Sequence, residues 1–131
     1  MRVGRGIVRG AEGMAGNGGV TTVKRANGAG VEFVDGVTVV DRSTVRTLTG
    51  TVDLRPTQAA IEAGPPYPFN RDGITFQNRS ADLPLQTEGY YREFTVPTPG
   101  ALDRGPQRII VGNNGEMYYT PDHYSTFIPL N

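Results

Sequence analysis

Tyr90-Tyr91-Arg92-Glu93-Phe94-Thr95-Val96, closed by the turn residues Thr98-Pro99-Gly100, is the stretch that decides the fold. Its aromatic and β-branched residues suit a pleated strand with one face buried, and Pro and Gly stop it. Strand side chains alternate, so Tyr91, Glu93 and Thr95 share one face while Arg92, Phe94 and Val96 share the other. Around this segment the pattern predicts strands over residues 74–77, 107–111, 117–120 and 124–128. Gly112-Asn113-Asn114-Gly115 and Pro121-Asp122 supply the turns between the later ones. Strands in series joined by short turns make an antiparallel meander.

Upstream, Val31-Glu32-Phe33-Val34 and Val37-Thr38-Val39-Val40 flank Asp35-Gly36, a pair that accepts the positive φ angles of a type I′ turn. A β-hairpin is expected there, with a further strand over 48–54. Thr57 is expected to N-cap a short helix over 58–63, which Gly64 and Pro65-Pro66 end. Such a helix needs a sheet to pack on. The expected class is α+β: a short N-terminal helix on an antiparallel sheet, with an added N-terminal β-hairpin. The chain divides into a Gly-rich flexible leader over 1–30, the hairpin extension over 31–47, and the main domain over 48–131.

Composition narrows the chemistry. The 131 residues hold no cysteine and one histidine, which excludes disulfides, thiolate metal sites and multi-histidine metal sites. No apolar run approaches a membrane span, and no apolar segment follows Arg2, Arg5 and Arg9, so no signal peptide is expected. Nine of the 18 glycines lie in residues 1–30, where no strand or helix period is sustained. An RNA-gripping arm through Arg2, Arg5, Arg9, Lys24 and Arg25 is the weaker reading, because those charges are dispersed. Residues 51–131 carry six Arg and nine Asp or Glu, so bulk attraction to a polyanion is lacking there. Phosphate binding would rest on a few arginines focused in one cleft.

Glu93, Arg104, Arg108 and His123 form the constellation with chemistry. Meander pairing can set Glu93 beside Arg108 on one face, with His123 entering from the turn before the last strand. A lone Glu–Arg pair is more often a cross-strand ion pair of little worth. The sole imidazole, flanked by Asp122 and Tyr124, raises the functional reading. A carboxylate base, an imidazole acid and two guanidinium groups are what metal-free cleavage of an RNA phosphodiester needs.

From about Thr49 to Asn131 the chain resembles the microbial guanyl-specific ribonuclease family. The matching segments are Gly50-Thr51-Val52, Asp72-Gly73-Ile74-Thr75-Phe76-Gln77-Asn78-Arg79, Leu83-Pro84 and Gly89 to Val96 with Thr98-Pro99-Gly100. Arg108-Ile109-Ile110 and Tyr118-Tyr119-Thr120-Pro121-Asp122-His123-Tyr124-Ser125-Thr126-Phe127 complete the set. The resemblance implies the ribonuclease fold over 48–131, Glu93 as general base, His123 as general acid, and Arg104 and Arg108 as phosphate holders. It implies Phe76, Gln77, Asn78, Arg79, Ser80 and Tyr124 as substrate-binding residues, with no metal and no cofactor. Ser80 stands where the family has a glutamate that accepts two hydrogen bonds from guanine, so base preference is expected to be weakened or altered. Asp82 or Glu88 is the available replacement carboxylate.

The partners expected are an RNA substrate and an acidic immunity or inhibitor protein plugging the Arg79, Arg104 and Arg108 cleft, with the chain itself a monomer. The leader and added hairpin resemble C-terminal toxin domains of larger secreted bacterial proteins, which implies a secreted or cell-delivered toxin. The alternative is a non-catalytic RNA- or protein-binding module that kept the fold. Tyr90, Tyr91, Tyr118 and Tyr119 are expected to pack rather than stack on bases.

Overall fold

The strand that starts at Val31 does not turn at Asp35-Gly36. In the computed structural model, which describes residues 21–24 and 30–131, it runs unbroken as β2 (Val31–Asp41). It pairs with β1 (Thr21–Lys24) on one side and β3 (Arg46–Asp53) on the other, all antiparallel. Val34 opposes Val52 and Val37 opposes Gly50, so Asp35 and Gly36 together face only Thr51. That is a β-bulge: Gly36 takes φ +74°, and Thr51 Oγ1 donates to Asp35 Oδ1 at 2.6 Å. The Asp-Gly pair thus bends a strand, and the hairpin expected at the N-terminus exists with its turn displaced to 42–45. Of the leader expected over 1–30, residues 1–20 and 25–29 lie outside the described residues, and with them Arg2, Arg5, Arg9 and Arg25.

The displaced turn is built by Asp41, whose buried carboxylate accepts from Ser43 N (3.0 Å), Ser43 Oγ (2.7 Å) and Thr44 Oγ1. These bonds, Thr44 foremost and then Ser43, hold the Asp41 carboxyl down at about 2. A depressed carboxylate contributes stability that is present above the ordinary carboxylate range and lost as pH falls towards the folded value. Thermal unfolding of wild type and Asp41→Asn should therefore differ most above about pH 4 and converge towards pH 2. A difference that stays constant across that window contradicts the assignment.

Helix α1 (Arg55–Ala63) begins two residues before the expected cap. Pro56 occupies its first turn, and the residue in the N-cap position is Leu54, with no side-chain cap bond. Thr57 lies inside the helix, where its buried hydroxyl donates to Thr95 O at 3.0 Å. Gly64, at φ +81°, closes the helix, and its N–H reaches Ala60 O at 3.2 Å.

The second sheet has the order β4 (Tyr91–Thr95), β5 (Arg108–Gly112), β6 (Met117–Thr120) and β7 (Ile128–Pro129), antiparallel throughout. Phe94 pairs with Ile109 and Ile109 with Tyr119, on the face turned towards the main core. There Val96, Ile109, Tyr119 and Ile128 meet Val34, Val37, Val39, Leu48 and Val52 of the first sheet, and Ile61 of α1 packs against them. Fully burying each such aliphatic side chain is worth roughly 1.5–3 kcal/mol. Tyr119, fully buried, donates its hydroxyl to Gln107 Oε1.

Two predicted strands shrink. Residues 74–77 contribute one bridge, Thr75 to Arg92, with Phe76 N to Tyr91 O at 2.9 Å. Of 124–128 only Ile128 is in a strand, because Asp122 captures the backbone before it. Its Oδ1 accepts Ser125 N (3.1 Å) and Thr126 N (2.8 Å), groups a strand would have offered to its neighbour. Gly112 to Gly115 form the expected hairpin turn, with Gly115 N donating to Gly112 O at 2.9 Å.

Candidate active site

Strand parity places Glu93 as expected. Glu93 pairs with Ile110 and Thr95 with Arg108, which sets Glu93, Thr95, Arg108 and Ile110 on the face away from the main core. Arg108 stands diagonal to Glu93. Its Nε lies 3.5 Å from Glu93 Oε1, and Arg104 Nη2, from the loop after β4, lies 3.1 Å from the same oxygen. Tyr124 donates its hydroxyl to Oε1 as well, at 2.9 Å. Three groups thus converge on Oε1, while Oε2 has no hydrogen-bond partner among the described residues. Burial first, then the Glu93 carboxylate, raises the Tyr124 hydroxyl well above its ordinary range, so it stays a donor.

Arg108 is almost fully buried. Its Nη1 donates to Gly105 O (2.7 Å) and Gln107 O (2.8 Å), which fixes the guanidinium plane. Its Nε is buried with no hydrogen-bond partner among the described residues. Such a donor is costly to leave unmade unless an anion arrives to take it.

Arg104 is aimed by two residues that sequence reasoning did not assign. Its Nε donates to Thr95 Oγ1 at 2.9 Å, and Thr95 Oγ1 and N both donate to Asp72 Oδ1, at 2.7 and 2.8 Å. Thr95 was on the right face by parity alone. Asp72 carries no such signal, since it arrives from a turn 23 positions away.

His123 is exposed, with φ +55°, and Tyr124 follows at φ +77°. Two adjacent non-glycine residues in the left-handed region cost roughly 1–2 kcal/mol each. The bonds from Asp122, with Tyr124 N to Thr120 Oγ1 (3.0 Å) and His123 N to Pro106 O (2.9 Å), hold them there. The imidazole lies against the Tyr124 ring at 4.7 Å between centroids.

Two pockets meet at this cluster. The larger, about 790 Å³, is lined by Arg104, Arg108 and His123 together with Arg42, Asp103 and Asp122. The smaller, about 300 Å³, is lined by Phe76, Gln77, Asn78, Arg79 and Ser80, with Arg71, Asp82, Glu93 and Tyr124. The three arginines expected in one cleft are therefore divided: Arg104 and Arg108 border the larger pocket and Arg79 the smaller. Phe76 stacks near Tyr124 at 4.8 Å and forms part of an aromatic cluster with Tyr91 and Phe127. The Asn78 side chain is committed to its own loop, giving Nδ2 to Leu83 O (3.0 Å) and taking Leu83 N at Oδ1 (3.1 Å). Asp82 shares the pocket of Ser80, whereas Glu88 borders a separate one of about 60 Å³. Of the other tyrosines, Tyr90 donates to Glu116 Oε2 (2.7 Å) and Tyr91 to Pro84 O (2.7 Å), in keeping with a packing role.

A family model described as ribonuclease matches residues 41–131. Guanyl-specific ribonuclease St of Saccharopolyspora erythraea is 52% identical over 71 residues, which span 54% of this chain and 70% of that protein. Guanyl-specific ribonuclease Sa of Kitasatospora aureofaciens is 54% identical over 68 residues, spanning 51% and 71%. Among solved structures, ribonuclease Sa2 in complexes with mononucleotides aligns with TM-score 0.57 at 51% identity, over 59% of this chain and 80% of that one. Ribonuclease Sa2 with guanosine-2′-cyclophosphate gives 0.56 at 51% identity, over 59% and 82%. The matched residues include both pockets but for Val40, and on that basis the chain belongs to the microbial guanyl-specific ribonuclease family and is an endoribonuclease.

Proposed function

We propose that the chain cuts single-stranded RNA by transphosphorylation and needs no metal to do so. Glu93 takes the proton of the 2′-hydroxyl, and that oxygen attacks the adjacent phosphorus. His123 gives a proton to the departing 5′-oxygen, leaving a 2′,3′-cyclic phosphate and a free 5′-hydroxyl. Water then opens the ring with the two roles exchanged. Arg104 and Arg108 hold the phosphate as negative charge builds on its free oxygens. The observation that carries this reading is the asymmetry at Glu93. One oxygen of this side chain, which lines the smaller pocket, is held by Arg104 and Tyr124; the other takes no hydrogen bond among the described residues, and a buried Arg108 Nε without a hydrogen bond lies 3.5 Å from the held oxygen. A non-catalytic module would have no use for a carboxylate oxygen left without a hydrogen bond at a pocket. Digestion of RNA in EDTA is the direct test: cyclic-phosphate termini are expected, and no cleavage by wild type removes the proposal.

The smaller pocket is the proposed base site, with Phe76 and Tyr124 offering ring faces and the 77–79 backbone offering polar groups. Ser80 supplies a hydroxyl where a carboxylate would accept a bidentate pair from guanine, so guanine preference is weakened while cleavage is retained. Ser80→Glu should raise guanine discrimination by about 1–3 kcal/mol, roughly 5- to 150-fold, in kcat/KM measured over the four bases. Strict guanine preference in wild type at full efficiency contradicts this.

The biological setting proposed is a toxin domain delivered from a larger secreted protein and acting as a monomer. Support comes from the Gly-rich residues 1–30 and the hairpin before the main domain. An acidic inhibitor would complement the cationic cleft of Arg104 and Arg108. Absence of an inhibitor-type gene beside this one weakens that reading.

A further inference from the structure

The ribonuclease match begins at residue 41, so most of β2 lies before it, and the turn after β2, at the start of the match, borders the cleft. Val40 and Arg42 line the larger pocket together with Arg104, Arg108 and His123. This turn is tied down. Ser43 Oγ accepts Leu102 N at 2.9 Å, and Arg46 Nη2 donates to Pro99 O at 2.7 Å. Gly100, at φ +79°, lies so close under the Arg46 guanidinium that a Cβ there would collide with it. The loop so gripped, residues 97–105, is the one that carries Arg104. Arg42 is therefore held beside the cleft by a fixed turn. It is exposed, and it has no hydrogen bond or ion pair among the described residues.

We infer that Arg42 forms a subsite for the RNA phosphate on the 3′ side of the scissile one. The inference rests on the proposed roles of Glu93 and His123, because they set the direction of the strand. The nucleotide 5′ of the cut lies towards Glu93 and the smaller pocket, and the departing strand leaves past His123 into the larger pocket, which Arg42 also lines. Substrate in the larger pocket places its next phosphate beside Arg42, which among the described residues of the hairpin is the cation not already engaged, since Arg46 is bonded to Thr44, Pro99 and Asp41. Asp103 and Asp122 line the same pocket and oppose the attraction. Their carboxylates are partly engaged, Asp103 by Gly105 N and Asp122 by Thr120 Oγ1, Ser125 N, Thr126 N and Thr126 Oγ1. A gain of roughly three- to tenfold is expected from one exposed guanidinium on a phosphate.

The test compares a dinucleoside monophosphate, which has only the scissile phosphate, with a trinucleoside diphosphate carrying one more on the 3′ side. Both have the best-cut base 5′ of the scissile bond. Wild type should cleave the longer substrate with three- to tenfold higher kcat/KM. Arg42→Gln should bring that ratio close to one, and Arg42→Lys should keep most of it. A ratio near one in wild type, or one that survives Arg42→Gln, overturns the subsite while leaving the enzyme reading intact. If wild type cuts neither substrate, the proposed chemistry falls and the subsite with it.

Discussion

Glu93→Gln is expected to lower kcat for RNA by about 10²- to 10⁴-fold, the usual contribution of a positioned general base. The substitution keeps the shape of the side chain and removes its ability to take a proton. KM should rise little, because Arg104 and Arg108 remain to hold the phosphate. Stability should move with it. Arg104 Nη2 and Arg108 Nε both face Glu93 Oε1, at 3.1 and 3.5 Å, and Arg108 is too buried to be rescued by solvent. With their shared counter-ion gone, the melting temperature should fall in dilute buffer and recover when inorganic phosphate is added, since an anion that binds only the folded state stabilises it. A variant that retains wild-type kcat ends the base assignment. One that loses activity without any phosphate-dependent recovery points instead to a site that has collapsed.

His123→Ala should cost a similar factor on RNA, for a separable reason. Its proposed task is to protonate a poor leaving group, the 5′-oxygen of a ribose. When the leaving group is 4-nitrophenolate, which departs without a proton, the defect should shrink to within about tenfold of wild type. Glu93→Gln should show no such relief, because the 2′-hydroxyl must lose its proton on either substrate. Equal losses for His123→Ala on both substrates would assign His123 to binding or positioning. The exposure of His123 and its contact with Tyr124 make the first outcome the expected one: the ring borders the pocket and is not buried in the protein's own packing.

How much of this was legible can be judged residue by residue. Side-chain alternation is a property of any single strand, so Glu93 and Thr95 could be assigned to one face from Tyr91 to Val96 alone. The β5 register then brings Arg108 to that face by the same rule. The Asp35-Gly36 pair shows the opposite. A positive φ is compatible with a turn and with a bulge, and only the length of the partner β3, which runs from Arg46 to Asp53, selects the bulge. The failed strand over 124–128 has a similar cause: local propensity favoured extension, and one carboxylate, Asp122, outcompeted it for two backbone N–H groups. Thr57 reads as a cap because capping is a local pattern, whereas its partner in the fold is Thr95 O on β4.

The order of residues therefore determined, without any coordinates, the antiparallel meander, the face that carries Glu93 and the kinship with guanyl-specific ribonucleases. Each is a matter of short-range alternation or of residue identity. Only the tertiary structure decided that Asp72 and Thr95 aim Arg104, that Arg79 is parted from Arg104 and Arg108, and that Arg42 reaches the cleft. The reason is the same in each case. These placements depend on contacts between segments far apart in the chain, made by long side chains whose directions are set by whatever packs around them.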